Sequence, residues 1–373
     1  MWQPQSFYGK YLLDQPVIFM GRDSVKGLYN FPGSKFAIIY GEKVKFDKDV
    51  FQKAFKSFEV KFIAKSWKNE PSLEELKGTM AELESFCPDV IVGIGGGSVI
   101  DGTKVCRLFY EFPYFDTESP DFNFLSFKTK FIAVPTTIGS GAEVSSAAVL
   151  FNSSLNKKEM IVHQSLRPDV VVLDSTFIEN STKEFIVSSS LDAIAHIVEG
   201  YVSNIDNPVS DILAEKGLQI FYEELSKADY SAVDFLRLQY ACYIGGLVQN
   251  HCIVGAAHAI AHQLTGFGFS HAKAIGLLLC AVIKENSKDE KAKKKYYALL
   301  SHSRIESIEK FILFLQTLID ESIDGFLSTK LKQVLEENVS NEIFIQNVID
   351  DRGGKGNPVS ITKEYIENIA KGL

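Results

Sequence analysis

The fold is decided by the segment GIGGGSVIDGTK at residues 93–104, which follows the buried-looking strand DVIVGI at residues 89–94 and opens a helix. Its three successive glycines, Gly95, Gly96 and Gly97, remove every Cβ from the turn, so a diphosphate can approach the backbone and accept hydrogen bonds from N–H groups. The helix beginning near Ser98 adds the positive end of its dipole. The pattern is neither a Walker A loop nor a GxGxxG fingerprint in its usual N-terminal place, and glycine clusters also form plain tight turns. In this context it predicts a phosphate-binding turn.

Two halves of different texture extend from this turn. Apolar strand-like runs at residues 36–40, 60–64, 130–135 and 169–174 alternate with helical segments, which is typical of a parallel sheet covered on both faces. After about residue 180, helical periodicity replaces the β-branched runs. The sequence therefore predicts an α/β domain with a Rossmann-like parallel sheet over residues 1–181 and an all-helical domain over residues 182–373.

Composition narrows the class of protein. The 373 residues carry a net charge of −8, and an acidic surface disfavours nonspecific binding to nucleic acid or anionic lipid. The five cysteines are scattered without CxxC spacing, which indicates free thiols in a reducing compartment. No signal peptide and no run of about 18 apolar residues is visible. We therefore expect a cytoplasmic protein without a nucleic-acid or membrane partner.

Histidines cluster in the helical half. Asp192 and His196 are four residues apart, as are His258 and His262, and His271 follows after a glycine-rich link. Residues four apart share a helix face, and the small apolar spacers within both pairs indicate buried helices. Buried polar groups need partners, and converging imidazoles with a carboxylate find one in a divalent metal. Three imidazoles and one carboxylate suit Zn²⁺ or Fe²⁺. No HExxH motif is present, so a zincin protease lacks its base.

Five ordered motifs carry a resemblance to a known family. They are GGGSxxDxxK at residues 95–104, PTTxGSGAEV at 135–144, DAxxHxxEGY at 192–201, GAAHAIAHQL at 255–264 and GNP at 356–358. Over nearly its whole length the chain resembles the iron-containing (group III) alcohol dehydrogenases. The resemblance implies the dehydroquinate synthase-like fold, with a dinucleotide-binding α/β domain followed by a helical metal domain. It also implies a homodimer or a larger assembly of dimers.

The resemblance assigns roles to individual residues. The implied metal ligands are Asp192, His196, His258 and His271, and His262 would be the catalytic residue that relays a proton near the nicotinamide and substrate. The remaining residues would bind the cofactor. Gly95, Gly96, Gly97 and Ser98 would hold the diphosphate, with Asp101 nearby on the same helix. Thr136, Thr137 and Ser140 would line the adenine and ribose side, Lys158 would lie near the nicotinamide ribose, and Asn69 falls in an NPT-like turn.

Some positions depart from the family pattern. Ala272 follows His271 where many members have glycine, and Cys280 replaces a proline that often ends the next helix. The link from His262 to His271 is also one residue shorter than in typical members. These departures indicate a divergent subgroup, and they affect the metal geometry and the shape of the substrate site. Similar loops occur in members that act on polar substrates.

The resemblance implies that the protein is a metal-dependent, NAD(P)-linked alcohol dehydrogenase or aldehyde reductase. Its substrate would be a small alcohol or aldehyde, and polar substrates are included. A metal ion would act as a Lewis acid on the substrate oxygen. Alternatives are a zinc glycerol dehydrogenase-like or a dehydroquinate synthase-like member of the same superfamily. A second alternative is a non-catalytic sensor that binds metal and nucleotide.

The choice between NAD and NADP turns on the residue after the strand at 36–40. A carboxylate there binds the ribose 2′-hydroxyl and repels a 2′-phosphate. Alignment of the strand places Gly41 at that position, followed by Glu42 and Lys43. Glycine leaves room for a phosphate and Lys43 could pair with it, whereas a shift of one residue would place Glu42 on the ribose. The alignment favours NADP(H), with NAD(H) as the alternative.

Overall fold

The computed structural model describes residues 16–42, 44, 48, 58–117, 125–152 and 157–373. The N-terminal residues before Pro16, the residue Lys43 and the side chain of Lys158 lie outside the described residues, so the predictions that involve them are not addressed by the structure. The chain forms two compact units. One contains the described residues up to Thr137 together with Ala142–Asn180, and the other contains Ile138–Gly141 together with Ser181–Leu373.

The first unit is built on a parallel sheet of six strands in the order β1-β8-β5-β4-β2-β3. The strands are β1 (Val17–Met20), β2 (Lys35–Tyr40), β3 (Glu59–Ala64), β4 (Val90–Gly95), β5 (Lys130–Pro135) and β8 (Val170–Leu173). A separate antiparallel hairpin joins β6 (Ala147–Asn152) to β7 (Lys157–Val162), and the sequence patterns did not predict it. The parallel sheet confirms the predicted fold class.

Apolar residues cover both faces of this sheet because successive residues of a strand point to opposite sides. In β2, Ala37 and Ile39 belong to one buried cluster, whereas Phe36 and Ile38 belong to another. The first cluster also contains residues of α1 (Leu73–Phe86) and α2 (Gly97–Glu111). Helix α1 begins at a capping box formed by Ser72 and Glu75, and α2 follows β4 directly. The glycine-rich turn is therefore held between a buried strand and a packed helix.

The second unit is helical. Its elements are α3 (Lys183–Val202), α4 (Pro208–Leu225), α5 (Phe235–Cys252), α6 (Ala256–Leu264), α7 (His271–Asn286), α8 (Glu290–His302), α9 (Ile308–Ser322), α10 (Gly325–Asn338), α11 (Glu342–Asp350) and α12 (Lys363–Gly372). Helices α9 and α10 follow each other closely within the part of the chain predicted to be all-helical. The break occurs because Asp324 is extended and its side chain accepts a hydrogen bond from the backbone of Phe326, which starts a new helix.

Helix α3 occupies the centre of the second unit. By length and composition it is apolar enough to cross a membrane, but 89% of its apolar window is buried inside the protein. A helix that is apolar all round is what the core of a large helical domain requires. The polar side chains in its central part, Asp192, His196 and Glu199, are buried as well. Polar groups in such a place need specific partners.

Candidate active site

A compact group of three buried side chains joins helices α3 and α6. Asp192 and His196 lie one turn apart on α3, and His258 lies in the first turn of α6. Asp192 Oδ1 is 3.4 Å from His196 Nε2 and 3.3 Å from His258 Nε2. The nearest possible ligand atoms of all three residues lie within 4.8 Å of one another. The arrangement has the residue types and the spacing of a divalent metal site.

His271 borders this group on its more open side. It is the first residue of α7, and its Nε2 lies 4.0 Å from Asp192 Oδ1. Its side chain is 34% exposed, whereas that of Asp192 is 6% exposed. The structure therefore brings together all four residues of the implied ligand set, three of them buried and one facing outward. A small molecule could approach the group from the side of His271.

The buried atoms of this group fit a cation. Asp192 Oδ1 and His258 Nε2 are buried, and neither forms a hydrogen bond of ordinary geometry with the described residues. A buried polar atom without a partner costs about 1–3 kcal/mol. Together with His196 Nε2, which lies 3.4 Å from Asp192 Oδ1, these atoms form a donor set that a divalent ion would satisfy.

Local electrostatics set the protonation of these groups. Burial opposes ionisation of Asp192, but the charge of His196 and the close approach of His258 and His271 outweigh it, so its pKa lies below the usual range. Burial lowers the pKa of His196 to about 4. For His258, burial acts in the same direction, but Glu199 and Asp192 raise its pKa to about 9. Because metal ligands bind in their deprotonated forms, His258 must release a proton when a metal binds.

Glu199 supports His258 from behind. Its Oε2 lies 2.5 Å from His258 Nδ1, and its Oε1 accepts a hydrogen bond of 2.7 Å from the backbone N–H of Ala257. One buried carboxylate therefore orients the imidazole and caps the start of α6, as carboxylates behind metal-binding histidines commonly do. The role of Glu199 was not predicted from the sequence. Its spacing, three residues after His196 and seven after Asp192, places all three residues on one helix face and could have indicated it.

His262 is paired with a different carboxylate. Its Nδ1 lies 2.9 Å from Asp351 Oδ2, and its ring stacks on that of His271 with centroids 5.3 Å apart. The side chain of His262 is 37% exposed, whereas that of Asp351 is 14% exposed. Because Nδ1 faces Asp351, Nε2 is the nitrogen left to exchange a proton with a substrate or water. The sequence did not predict the role of Asp351, because Asp351 lies far from His262 along the chain.

The loop at residues 351–359, here called the C-terminal loop, wraps the start of α6. A Cβ at Gly353 would lie 3.8 Å from His258 Cβ, and one at Gly354 would lie 3.2 Å from Ala259 Cβ. Asn357 Oδ1 accepts a hydrogen bond of 3.2 Å from the backbone N–H of Ala256. The GNP motif therefore holds the amino end of the helix that carries His258, while Asp351 holds His262.

The glycine-rich turn lies in the first unit. A Cβ at Gly95 would lie 2.5 Å from Val99 Cγ2, and one at Gly96 would lie 2.9 Å from Thr137 Cγ2. The turn therefore needs glycine at both positions. As the first residues of α2, Gly97 and Ser98 have no intrahelical acceptor for their N–H groups. These donors and the helix dipole would accommodate a phosphate.

The other residues proposed to bind the cofactor do not all lie in the same unit. Thr136 donates its backbone N–H to Gly95 O at 3.0 Å, and Thr137 packs on Gly96, so both adjoin the glycine-rich turn. Ser140 instead belongs to the segment Ile138–Gly141, which groups with the helical unit. In that segment a Cβ at Gly139 would lie 3.6 Å from Asp192 Oδ2.

Asp101 and Asn69 both contribute to packing around α2. Asp101 Oδ1 accepts a hydrogen bond of 3.2 Å from Lys104 Nζ, and its Oδ2 accepts one of 3.3 Å from the backbone of Val149 on β6. These bonds tie the hairpin to α2. Asn69 accepts a hydrogen bond from Ser98 Oγ through its backbone carbonyl.

Gly41 follows β2 and adjoins the same turn. A Cβ at this position would lie 3.4 Å from Val99 Cγ2, the nearest approach to the first turn of α2. The residue after β2 therefore lies beside the glycine-rich turn.

Comparison with known proteins identifies the family. The sequence matches the model of the iron-containing alcohol dehydrogenases over residues 16–175 and the C-terminal model of the same family over residues 186–373. The chain therefore belongs to the iron-containing alcohol dehydrogenase family and is an oxidoreductase, which confirms the resemblance drawn from the five motifs.

Individual relatives extend this result. An NADPH-dependent butanol dehydrogenase of Clostridium saccharobutylicum is 29% identical over 94% of this chain and 95% of its own length. The 1-propanol dehydrogenase PduQ of Citrobacter freundii is 32% identical over 61% of this chain and 60% of its own length. Among solved structures, an iron-containing alcohol dehydrogenase of Thermococcus thioreducens is 27% identical, with a TM-score of 0.82 over 96% of this chain and 98% of that one.

Proposed function

We propose that the protein is a metal-dependent, NAD(P)-linked alcohol dehydrogenase or aldehyde reductase that acts on a small primary alcohol or its aldehyde. The observation that carries this proposal is the buried group of Asp192, His196 and His258, in which both imidazole Nε2 atoms lie within 3.4 Å of Asp192 Oδ1, next to the more exposed His271. Relatives named for butanol and 1-propanol support a short-chain substrate. Because Ala272 and Cys280 depart from the family pattern, polar alcohols and aldehydes should be tested in the same substrate screen.

Asp192, His196, His258 and His271 would hold a divalent ion, with Fe²⁺ or Zn²⁺ as the candidates. When bound, such an ion polarises the substrate oxygen and the nicotinamide exchanges a hydride with the substrate carbon. Glu199 keeps the ring of His258 in place. In the oxidation direction, His262 Nε2 accepts the proton lost from the alcohol, and Asp351 holds the N–H on the opposite side of that ring.

Most of the residues that would bind the dinucleotide belong to the first unit. The N–H groups at Gly95, Gly96, Gly97 and Ser98 would receive the diphosphate. We assign the adenine and ribose side to Thr136, Thr137 and Ser140, and the nicotinamide ribose to Lys158. Gly41, Asn69 and Asp101 complete the proposed set, with Asp101 acting through its packing of α2.

Steady-state turnover tests this function. The metal-stripped protein is loaded with Fe²⁺ under argon or with Zn²⁺, and absorbance at 340 nm is followed with straight-chain and polar alcohols and aldehydes. We expect that, only when metal is present, one cofactor molecule is oxidised or reduced for each substrate molecule converted. Product formation without net change in the cofactor would favour a dehydroquinate synthase-like lyase, and glycerol as the best substrate would favour a glycerol dehydrogenase. Tight binding of metal and nucleotide without turnover on the whole panel would favour a sensor.

We expect the cofactor to be NADP(H). Gly41 offers no carboxylate to repel a 2′-phosphate, and the butanol dehydrogenase relative is named as NADPH-dependent. The ratio of kcat/KM for NADPH and NADH, measured with one accepted aldehyde, checks this expectation. A preference for NADH above about tenfold, or about 1.4 kcal/mol, would reverse it and assign the ribose contact to Glu42.

We also propose a cytoplasmic homodimer, or a larger assembly built from dimers. Strand β1 is at one end of the described six-stranded sheet, and Val17 and Met20 on it are 62% and 45% exposed. An apolar edge strand is a natural surface for pairing with a second chain. Light scattering at micromolar concentration should give at least twice the mass of one chain, and a monomer would contradict the proposal.

A further inference from the structure

Lys65 lies at the end of β3, where it reaches the glycine-rich turn. Its Nζ is 2.8 Å from Ser98 Oγ and 2.7 Å from the carbonyl oxygen of Lys68. The same loop contacts Ser98 twice more, because Trp67 Nε1 donates to Ser98 O at 3.1 Å and Ser98 Oγ donates to the carbonyl of Asn69. The ammonium of Lys65 is therefore held by a packed loop against the first turn of α2.

This position is electrostatically unfavourable for a cation. The start of a helix carries a partial positive charge, so an ammonium there costs roughly 0.3–1 kcal/mol where a carboxylate would gain it. Burial lowers the pKa of Lys65, while Glu42, Glu70 and Glu75 act in the opposite direction. Across the described ranges, no carboxylate forms a salt bridge with Lys65; both of its hydrogen bonds go to uncharged oxygens. The helix end and the ammonium therefore meet at Ser98, where three glutamates act on the charge of Lys65 but none within the described ranges forms a salt bridge with it.

The location relates this charge to the nucleotide. Strands β4, β2 and β3 are neighbours in the sheet. The glycine-rich turn lies at the end of β4, Gly41 directly follows β2, and Lys65 directly follows β3. The backbone N–H of Lys65 donates to Tyr40 O at 2.9 Å, which places Lys65 directly beside the end of β2. An ammonium has three donors, and two of those on Lys65 are already bonded within the described chain. The third is available for a ligand.

We propose that Lys65 is a further cofactor-binding residue, whose ammonium binds a phosphate group of the dinucleotide beside the N–H groups that open α2. This assignment rests on the proposed function and adds a residue that neither the motifs nor the resemblance indicated. An anion at this point neutralises both the helix end and the ammonium. The 2′-phosphate of NADP(H) and the diphosphate common to both cofactors share this chemistry, and the experiment below separates them.

The test is equilibrium binding of NADPH and NADH, measured by cofactor fluorescence on the metal-loaded protein and on three variants. Lys65→Met removes the charge at similar length, and Lys65→Arg keeps it. Lys61→Met is the matched control, because Lys61 lies on the same strand but pairs with Glu82 at 3.3 Å. We expect Lys65→Met to weaken NADPH binding by at least tenfold, and Lys65→Arg and Lys61→Met to change it by less than about threefold.

Each outcome has one interpretation. A loss for NADPH alone assigns Lys65 to the 2′-phosphate, and an equal loss for both cofactors assigns it to the diphosphate. Unchanged Kd values for both cofactors in Lys65→Met, or an equal loss in Lys61→Met, would overturn the proposal. A melting temperature measured without nucleotide separates a binding defect from a folding defect. If Lys65→Met is unstable, Lys65→Gln takes its place, and the proposal then requires that Lys65→Arg keep its affinity for the nucleotide while Lys65→Gln loses it. A wild-type protein that binds neither nucleotide would instead sink the proposed function.

Discussion

Replacing His196 by alanine is expected to abolish both metal content and turnover. His196 is buried on α3 within 3.4 Å of the Asp192 carboxylate, and no other described side chain could replace its nitrogen in the group. The measurement is the metal-to-protein ratio by mass spectrometry after loading with Fe²⁺ or Zn²⁺ and desalting, followed by an activity assay. The loss should be complete, because a site with one ligand fewer and a vacated buried volume has no way to compensate.

The controls separate this effect from a general loss of structure. His302→Ala removes an exposed imidazole that pairs with Glu215 outside the group, and it should retain metal and activity. His196→Gln fills more of the buried volume than alanine and is the better variant if His196→Ala does not fold. Full metal occupancy in a folded His196 variant would refute the ligand assignment.

Replacing Asp351 by asparagine is expected to lower kcat by about 10- to 100-fold while leaving metal content unchanged. The carboxylate oxygen 2.9 Å from His262 Nδ1 fixes the ring so that Nε2 is free to accept a proton. An amide in its place can present its NH₂ group to that nitrogen, which favours the wrong tautomer. The neighbouring variant Asp350→Asn is the matched control, because Asp350 bonds to Gln346 on the surface.

A second comparison tests whether Asp351 acts through His262. His262→Ala alone should lower kcat by about 10²- to 10⁴-fold, the usual contribution of a positioned acid or base. Adding Asp351→Asn to that variant should cause little further loss, since the imidazole that it orients is gone. A full additional loss in the double variant would mean that Asp351 acts on something other than His262.

Much of the metal group could be predicted because its information is local. Asp192 and His196 share a turn of one helix, as do His258 and His262, and small apolar spacers indicated that both faces are buried. The strand, the three glycines and the following helix were equally readable, because a turn without Cβ atoms is encoded by adjacent residues.

The partners behind these residues could not be predicted in the same way. Asp351 lies on a loop far along the chain from His262, and only tertiary packing brings them together. Lys65 lies in a loop of irregular sequence whose contact with Ser98 depends on the packing of Trp67 beneath α2. The hairpin of β6 and β7 was missed because β7, with the sequence KKEMIV, begins with three charged residues and so lacks the apolar run that marked the strands of the parallel sheet.

The C-terminal loop has a consequence for how the protein is made. During translation, α3 with Asp192 and His196 leaves the ribosome long before Asn357, which bonds to the start of α6, and before Asp351, which bonds to His262. Until the C-terminal loop is synthesised, the helix that carries His258 lacks the contact at its amino end. We therefore expect nascent chains to acquire iron or zinc only as a late step, once the C-terminal loop has left the ribosome and packed on α6.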